Sequence, residues 1–144
     1  VCDAAKGLIP VVLATALGAQ EYVIAIVGFV VFLGHVFPIF LNFGGGKGVA
    51  TALGVYLAVR PTVIIGAFIV FVIVFAIWRY VSLASLVGAI VVPIGLYLVR
   101  APYQFVIMAS LIALVVILRH KDNISRLIKG TENKLSFSGS SKNS

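Results

Sequence analysis

TVIIGAFIVFVIVFAIW, residues Thr62–Trp78, contains no charged side chain and stops at Arg79. A helix rises about 1.5 Å per residue and needs about 20 mostly apolar residues to cross a hydrocarbon core of about 30 Å. This run is therefore of the order of one membrane crossing. Working outward, Tyr22–Leu41, Leu86–Val99 and Ala101–Leu118 are runs of the same kind, some a little short. Two pieces fit less easily. Leu8–Ala19 ends at Gln20 and Glu21 and reaches a full span only if it begins at or before Val1. Val49–Val59, between Lys47 and Arg60-Pro61, is roughly 20 Å long as a helix, so it must thin the bilayer, snorkel its flanking charges or lie buried in protein.

Composition agrees with that ruler. With 62% hydrophobic and 10% charged residues in 144 positions and a mean hydropathy of +1.20, the chain cannot present the mixed charged surface of a water-soluble domain. The expected fold is an all-α integral membrane protein, a polytopic helix bundle with about six transmembrane segments. Pro10, Pro38, Pro61, Pro93 and Pro102 fall near expected helix ends or at kinks, and frequent glycine predicts close helix packing. Residues 1–135 form the expected membrane domain. Ser136–Ser144 lacks apolar content and is expected to be a disordered polar tail.

If each run crosses once, Lys6, Lys47, Arg79, Arg119, Lys121, Arg126, Lys129, Lys134 and Lys142 share one side and only Arg60 and Arg100 lie on the other. The positive-inside rule makes the lysine-rich side cytoplasmic. The net charge of +7 is thereby assigned to orientation and anionic headgroups, and no nucleic acid is expected as a partner, because no basic stripe with interleaved aromatics is present. Cys2 is the single cysteine, which excludes an internal disulfide and fits no metal-ligand spacing. The sequon-like Asn123-Ile124-Ser125 carries nothing on a cytoplasmic face.

Three short polar breaks interrupt the apolar chain, at Asn42–Gly48, Arg79–Ser85 and Arg119–Asn123, and the same crossing count places all three at one surface. In the first, Gly44, Gly45, Gly46 and Gly48 surround Lys47. Such a turn can aim backbone N–H groups at an anion beside an ammonium and a helix N-terminus. It is not a P-loop, since Gly48 stands where Ser or Thr belongs and no strand precedes it. In the second, Ser82 and Ser85 are three apart at a helix start, where hydroxyls either bind an oxyanion or cap the helix, while Trp78-Arg79-Tyr80 also reads as an interfacial anchor. In the third, His120 and Asn123 share a helical face and could orient a polar substrate. His35 lies in an apolar span, which makes it a candidate by position. Asp3 and Lys6, three apart, either pair with each other or face the site. With His35 and Arg79 they form a second tier.

Taken together, Gly34–Leu41 running into Phe43–Thr51, then Arg79–Ser85, then Arg119–Ile124 with Arg126 and Leu127, resemble the acyl-phosphate:glycerol-3-phosphate acyltransferases of bacterial membranes, the PlsY family. Asp3–Pro10 resembles that family's early aspartate, lysine-glycine and proline pattern. The resemblance runs to about Glu132 and lacks the family's first helix and first cytoplasmic loop, so the chain is expected to be part of a seven-helix architecture and to have little activity alone. It implies a multi-pass enzyme of the bacterial inner membrane, with site and C-terminus cytoplasmic. That enzyme moves an acyl group from acyl phosphate to the 1-hydroxyl of glycerol 3-phosphate, giving lysophosphatidic acid and phosphate in phospholipid biosynthesis. Lys47 with Gly44, Gly45, Gly46 and Gly48 would hold phosphate, Ser85 and Ser82 would add hydroxyl donors, and His120 and Asn123 would bind the polar end of glycerol 3-phosphate. Membrane lipids are the surroundings, and neither cofactor nor metal is implied. The competing reading is a transporter or channel subunit for a small anion, favoured by the short Val49–Val59 run and opposed by the lack of a paired repeat.

Overall fold

A computed structural model of the chain describes residues 2–38 and 46–135. Among these residues there are seven helices and no strand: α1 (Cys2–Ala16), α2 (Glu21–Val36), α3 (Val49–Val59), α4 (Pro61–Trp78), α5 (Val81–Leu98), α6 (Tyr103–Arg119) and α7 (Lys121–Ile128). Each of the six apolar runs forms one helix. By length and hydropathy α4 and α5 suffice to cross a bilayer, and α6 joined to α7 across a 61° bend makes a third span. α1, α2 and α3, of 15, 16 and 11 residues, are shorter. Ser136–Ser144 and the Ile39–Leu41 end of the second apolar run lie outside the described residues.

The outer surface is that of a protein solvated by lipid. α4 buries only Val63, Ile64 and Ala67, whereas Ile65, Phe68, Ile69, Ile73 and Ile77 are each more than half exposed. In water such a contiguous apolar face would be untenable for a monomer.

Local chemistry explains the boundaries. α1 ends at Gly18, whose φ of 72° lets Gly18 and Ala19 return hydrogen bonds to the carbonyls of Thr15 and Ala14, the glycine-terminated helix end expected of that conformation. α2 stops at Val36, two residues before Pro38, because a proline disfavours helical geometry in the residue it follows. His35 therefore occupies the last turn of α2 and not the middle of a span. Arg60 alone separates α3 from α4, with Pro61 at the first helical position, where its missing N–H does no harm. α5 starts at Val81, five residues before the apolar run, and so takes in both Ser82 and Ser85.

The helices close into a ring in the order α1, α3, α4, α5, α6, α2 and back to α1, with α3 also touching α2 and α6. Protein on several sides answers the question posed by the short third run: Thr51, Ala52, Gly54, Val55 and Tyr56 of α3 are buried. The tightest approach is between α1 and α3. A methyl group at Gly7 would run into the carbonyl of Thr51, and one at Gly54 into the carbonyl of Ala4. Gly28 of α2 performs a similar service at the centre, where an added Cβ would lie 2.8 Å from Val55 and 2.9 Å from Met108.

Small residues decide helix association in lipid because apolar side chains gain little there from leaving solvent. Gly54→Ala and Gly7→Ala should consequently lower stability by about 1–3 kcal/mol through overpacking, against the modest gain in helix propensity that alanine normally brings. Gly66→Ala, where a Cβ meets nothing within 4 Å, should be neutral or slightly stabilising. Thermal unfolding of the three variants in detergent micelles measures this, and equal melting temperatures would contradict it.

Candidate active site

Buried polar side chains are rare in this molecule. Among the described residues they are Thr51, Ser82, Ser85, His120 and Asn123. All but Thr51 line one cavity of about 660 Å³, together with Lys47, Gly46, Gly48, Asp3 and His35. The three polar breaks of the sequence thus meet in one place. Lys6 and Arg79 do not line the cavity, and Gly44 and Gly45 lie outside the described residues.

Lys47 reaches the cavity from the turn that precedes α3. Gly48, the residue before that helix, has φ 78° and ψ −1°, a left-handed conformation that glycine adopts without penalty. Space imposes the same choice, because a Cβ at Gly48 would collide with Phe32 and Val36 of α2. The turn is therefore pressed on α2 at a fixed height. Among the described residues the Lys47 ammonium has no carboxylate partner, so a positive charge faces the cavity uncompensated.

Ser82 and Ser85 sit one turn apart at the start of α5, and their situations differ. The Ser82 hydroxyl donates to Glu132 Oε1 at 2.6 Å. Among the described residues Ser85 makes no side-chain hydrogen bond, which leaves its hydroxyl available to a ligand. His120 occupies the bend between α6 and α7 and is 1% exposed. Its Nδ1 lies 2.7 Å from the carbonyl of Val116, and since a carbonyl only accepts, Nδ1 carries the proton and Nε2 of the neutral ring is left as an acceptor. Asn123, in the first turn of α7, donates Nδ2–H to Glu132 Oε1 at 2.6 Å.

Glu132 is the residue that sequence reasoning passed over. Beyond α7 the chain turns at Gly130, with φ 68°, and brings this carboxylate back to accept hydrogen bonds from Ser82, Asn123 and Arg126, the last at 2.7 Å. The following segment docks alongside: Leu135 N–H donates to the carbonyl of Arg79, Arg79 Nε donates to the carbonyl of Leu135 at 3.1 Å, and Lys134 lies over the Tyr80 ring at 5.4 Å. One available signal was scarcity, because Glu132 is one of four carboxylates in the chain.

Asp3 of α1 pairs with Lys6 at 3.0 Å and lies 3.7 Å from His35 Nδ1, while a Cβ at Gly46 would lie 3.4 Å from His35 Nε2. His35 thus stands between the start of α1 and the lysine turn. Among the described residues no three His, Cys, Asp or Glu side chains converge as a metal would require.

The rest of the cavity is apolar. Its walls are Leu53 and Tyr56 of α3, Ile64, Ala67, Phe68 and Phe71 of α4, Gly88, Ala89 and Val92 of α5, and Ile112 and Val116 of α6. Phe68 and Leu53 are also exposed, by 57% and 36%. On the adjoining helices α3 and α4, they form two lips where the cavity reaches the outer surface of the bundle. A cation, a free hydroxyl and a buried imidazole at one end, with an apolar slot at the other, suit an amphiphile with an anionic head and a hydrocarbon tail.

Comparison with known proteins agrees in character. A family model described as "Glycerol-3-phosphate acyltransferase" matches residues 1–130. A glycerol-3-phosphate acyltransferase of Trichlorobacter lovleyi is 52% identical over 132 residues, covering 92% of this chain and 68% of its own length. One of Geobacter sulfurreducens is 47% identical with the same two coverages. The chain thus spans about two thirds of these relatives. Among solved structures, PlsY, described as an integral membrane glycerol 3-phosphate acyltransferase, superposes with a TM-score of 0.89 at 41% identity over 93% of this chain, both in its glycerol 3-phosphate form and in its lysophosphatidic acid form. The chain covers 68% and 69% of those two structures.

Hydrogen bonds from Ser82 and Asn123, then Arg126, hold the Glu132 carboxyl down at about 2 from its ordinary 4.5, against the opposing effect of burial. A carboxyl more acidic in the folded than in the unfolded protein stabilises fully above the unfolded value. The contribution is lost as pH falls from about 4.5 towards about 2. Wild-type melting temperature should decline across that window, whereas Glu132→Gln should be less stable at pH 7 and show a smaller acid-dependent decline. Parallel melting curves for the two proteins from pH 7 to pH 3 would contradict the assignment.

Proposed function

The chain belongs to the glycerol-3-phosphate acyltransferase family, and from that premise we propose how its residues perform the acylation of glycerol 3-phosphate to lysophosphatidic acid. The observation that carries the reading is the two-ended cavity: Lys47, Ser85 and His120 at the polar end, and an apolar slot that opens to lipid between α3 and α4. The protein is an integral membrane enzyme. The lysine-rich surface belongs to the cytoplasmic side of a bacterial inner membrane, where both substrates meet the polar end.

Acyl phosphate is the proposed donor. It arrives with its leaving group already activated, so the protein need not form an acyl-enzyme intermediate, and none of the cavity's serines has the His and carboxylate partners of a nucleophilic triad. The 1-hydroxyl oxygen of glycerol 3-phosphate attacks the acyl carbonyl carbon. The bond between that carbon and the phosphate oxygen breaks, and the hydroxyl proton leaves with the departing phosphate. Catalysis then consists of holding the hydroxyl about 3–3.5 Å from the carbonyl and stabilising the negative charge on the phosphate and carbonyl oxygens. Lys47 supplies the charge. Gly46 and Gly48 let the backbone come close to the phosphate, Gly44 and Gly45 are assigned to the same phosphate group by the family resemblance, and Ser85 donates its hydroxyl.

His120 Nε2 accepts from a glycerol hydroxyl, and Asn123 presents the remainder of its amide to the same molecule. Ser82 acts one step away, since its proton is committed to Glu132. Asp3 with Lys6, and His35 between Asp3 and Gly46, support the lysine turn from the α1 side. Arg79 anchors the segment that carries Glu132. The hydrocarbon chain occupies the slot between α3 and α4, walled by Phe68, Phe71 and Val92. The reaction written this way needs no cofactor, and no step passes through nucleic acid or a protein partner. An anion-transport role finds no support in a cavity whose apolar arm leads into lipid.

Membranes carrying the full-length gene product, given radiolabelled glycerol 3-phosphate and palmitoyl phosphate, should form labelled lysophosphatidic acid. Lys47→Ala, Ser85→Ala and His120→Ala should each lower kcat/KM by about 100-fold, the usual order for removing a positioned charge-stabilising group. Near-normal turnover by Lys47→Ala would overturn its phosphate-holding role. Uptake of label without acylated product would favour transport.

A further inference from the structure

The wall that α5 gives to the cavity changes character with depth. Ser85, Gly88, Ala89 and Val92 all line the cavity, and their spacing of three and four residues places them on one helical stripe. Gly95 is the next position on that stripe. A Cβ at Gly95 would lie 2.9 Å from the side chain of Val63 on α4, whereas a Cβ at Gly88 meets nothing within 4 Å. At Gly95 the two helices are in contact, and neither Gly95 nor Val63 lines the cavity. At Gly88 it is open, and the missing side chain is the opening.

Helical rise sets the scale. Gly88 lies about 4.5 Å below Ser85, Val92 about 10 Å and the Gly95–Val63 contact about 15 Å. That depth is short beside the roughly 30 Å hydrocarbon core, and Phe68 and Phe71 of α4, stacked at 6.2 Å, line the same cavity. A hydrocarbon tail anchored at the polar end must pass Gly88 to reach the part of the cavity walled by Phe68 and Val92, from which the slot between α3 and α4 leads out. We propose that Gly88 is the specificity-determining position for acyl-chain length, its lack of a side chain admitting a long chain that any larger residue would stop within a few carbons of the carbonyl. This rests on the placement of the acyl chain given above.

Depth-ordered substitution tests it. Rates of lysophosphatidic acid formation are measured in membranes with butyryl, decanoyl and palmitoyl phosphate as donors, for wild type, Gly88→Leu, Gly88→Ala, Val92→Phe and, outside the cavity, Gly66→Leu. The butyryl to palmitoyl ratio of kcat/KM should rise at least tenfold in Gly88→Leu and by a smaller factor in Gly88→Ala. Val92→Phe should disfavour palmitoyl while sparing butyryl, and Gly66→Leu should keep the wild-type profile. Should Gly88→Leu fail to accumulate, Gly88→Ala decides, because its methyl group meets no neighbour. A folded Gly88 variant whose three rates fall by one common factor, or keep the wild-type ratio, overturns the proposal. Wild-type membranes that make no product from any of the three donors overturn the functional reading instead.

Discussion

Backbone contact between α1 and α3, permitted by Gly7 and Gly54, is the constraint on which the remaining architecture rests. α3 is only 11 residues long and could not hold a fixed depth in a bilayer by its own length. Its position is set by neighbours, chiefly α1. Because the lysine turn leads directly into α3, whatever fixes that helix also fixes Lys47. Gly48 completes the arrangement by bringing the turn on to Phe32 and Val36 of α2. Three glycines, one of them some forty residues from the other two, thereby place one cation.

The opposite wall is held by polar bonds. Glu132 accepts from Ser82 of α5 and from Asn123 and Arg126 of α7, so one carboxylate ties the serine helix to the bend that presents His120. Buried polar groups of this kind are stabilising only when every member is satisfied, and the acceptor capacity of a carboxylate is what lets three donors converge on it. The two walls thus rest on different physics, close packing on the lysine side and charge-assisted hydrogen bonding on the serine and histidine side. The cavity is the space between them.

Much of this was legible in the sequence. Six apolar runs became six helices because the length needed to cross a bilayer is set by the solvent. Lys47, Ser85, His120 and Asn123 stood out because each interrupts an apolar stretch at a spacing that puts it at a helix end. Other features depend on contacts between distant segments. Ser82 looks the equal of Ser85 in sequence, yet the return of the chain to Glu132, 50 residues later, gives Ser82 a hydrogen-bond partner that Ser85 lacks among the described residues. The opening at Gly88 is likewise invisible to hydropathy, since a glycine that packs a neighbour and a glycine that leaves open space are the same letter.

The exposed lips at Leu53 and Phe68 have a bearing on traffic. A tunnel closed on all sides would oblige a greasy product to pass back through water, or wait for the protein to open. A slit along the side of the bundle removes that barrier. In the proposed reaction the finished molecule would leave sideways into the surrounding leaflet with its tail already among other tails, and the next donor would enter by the same route.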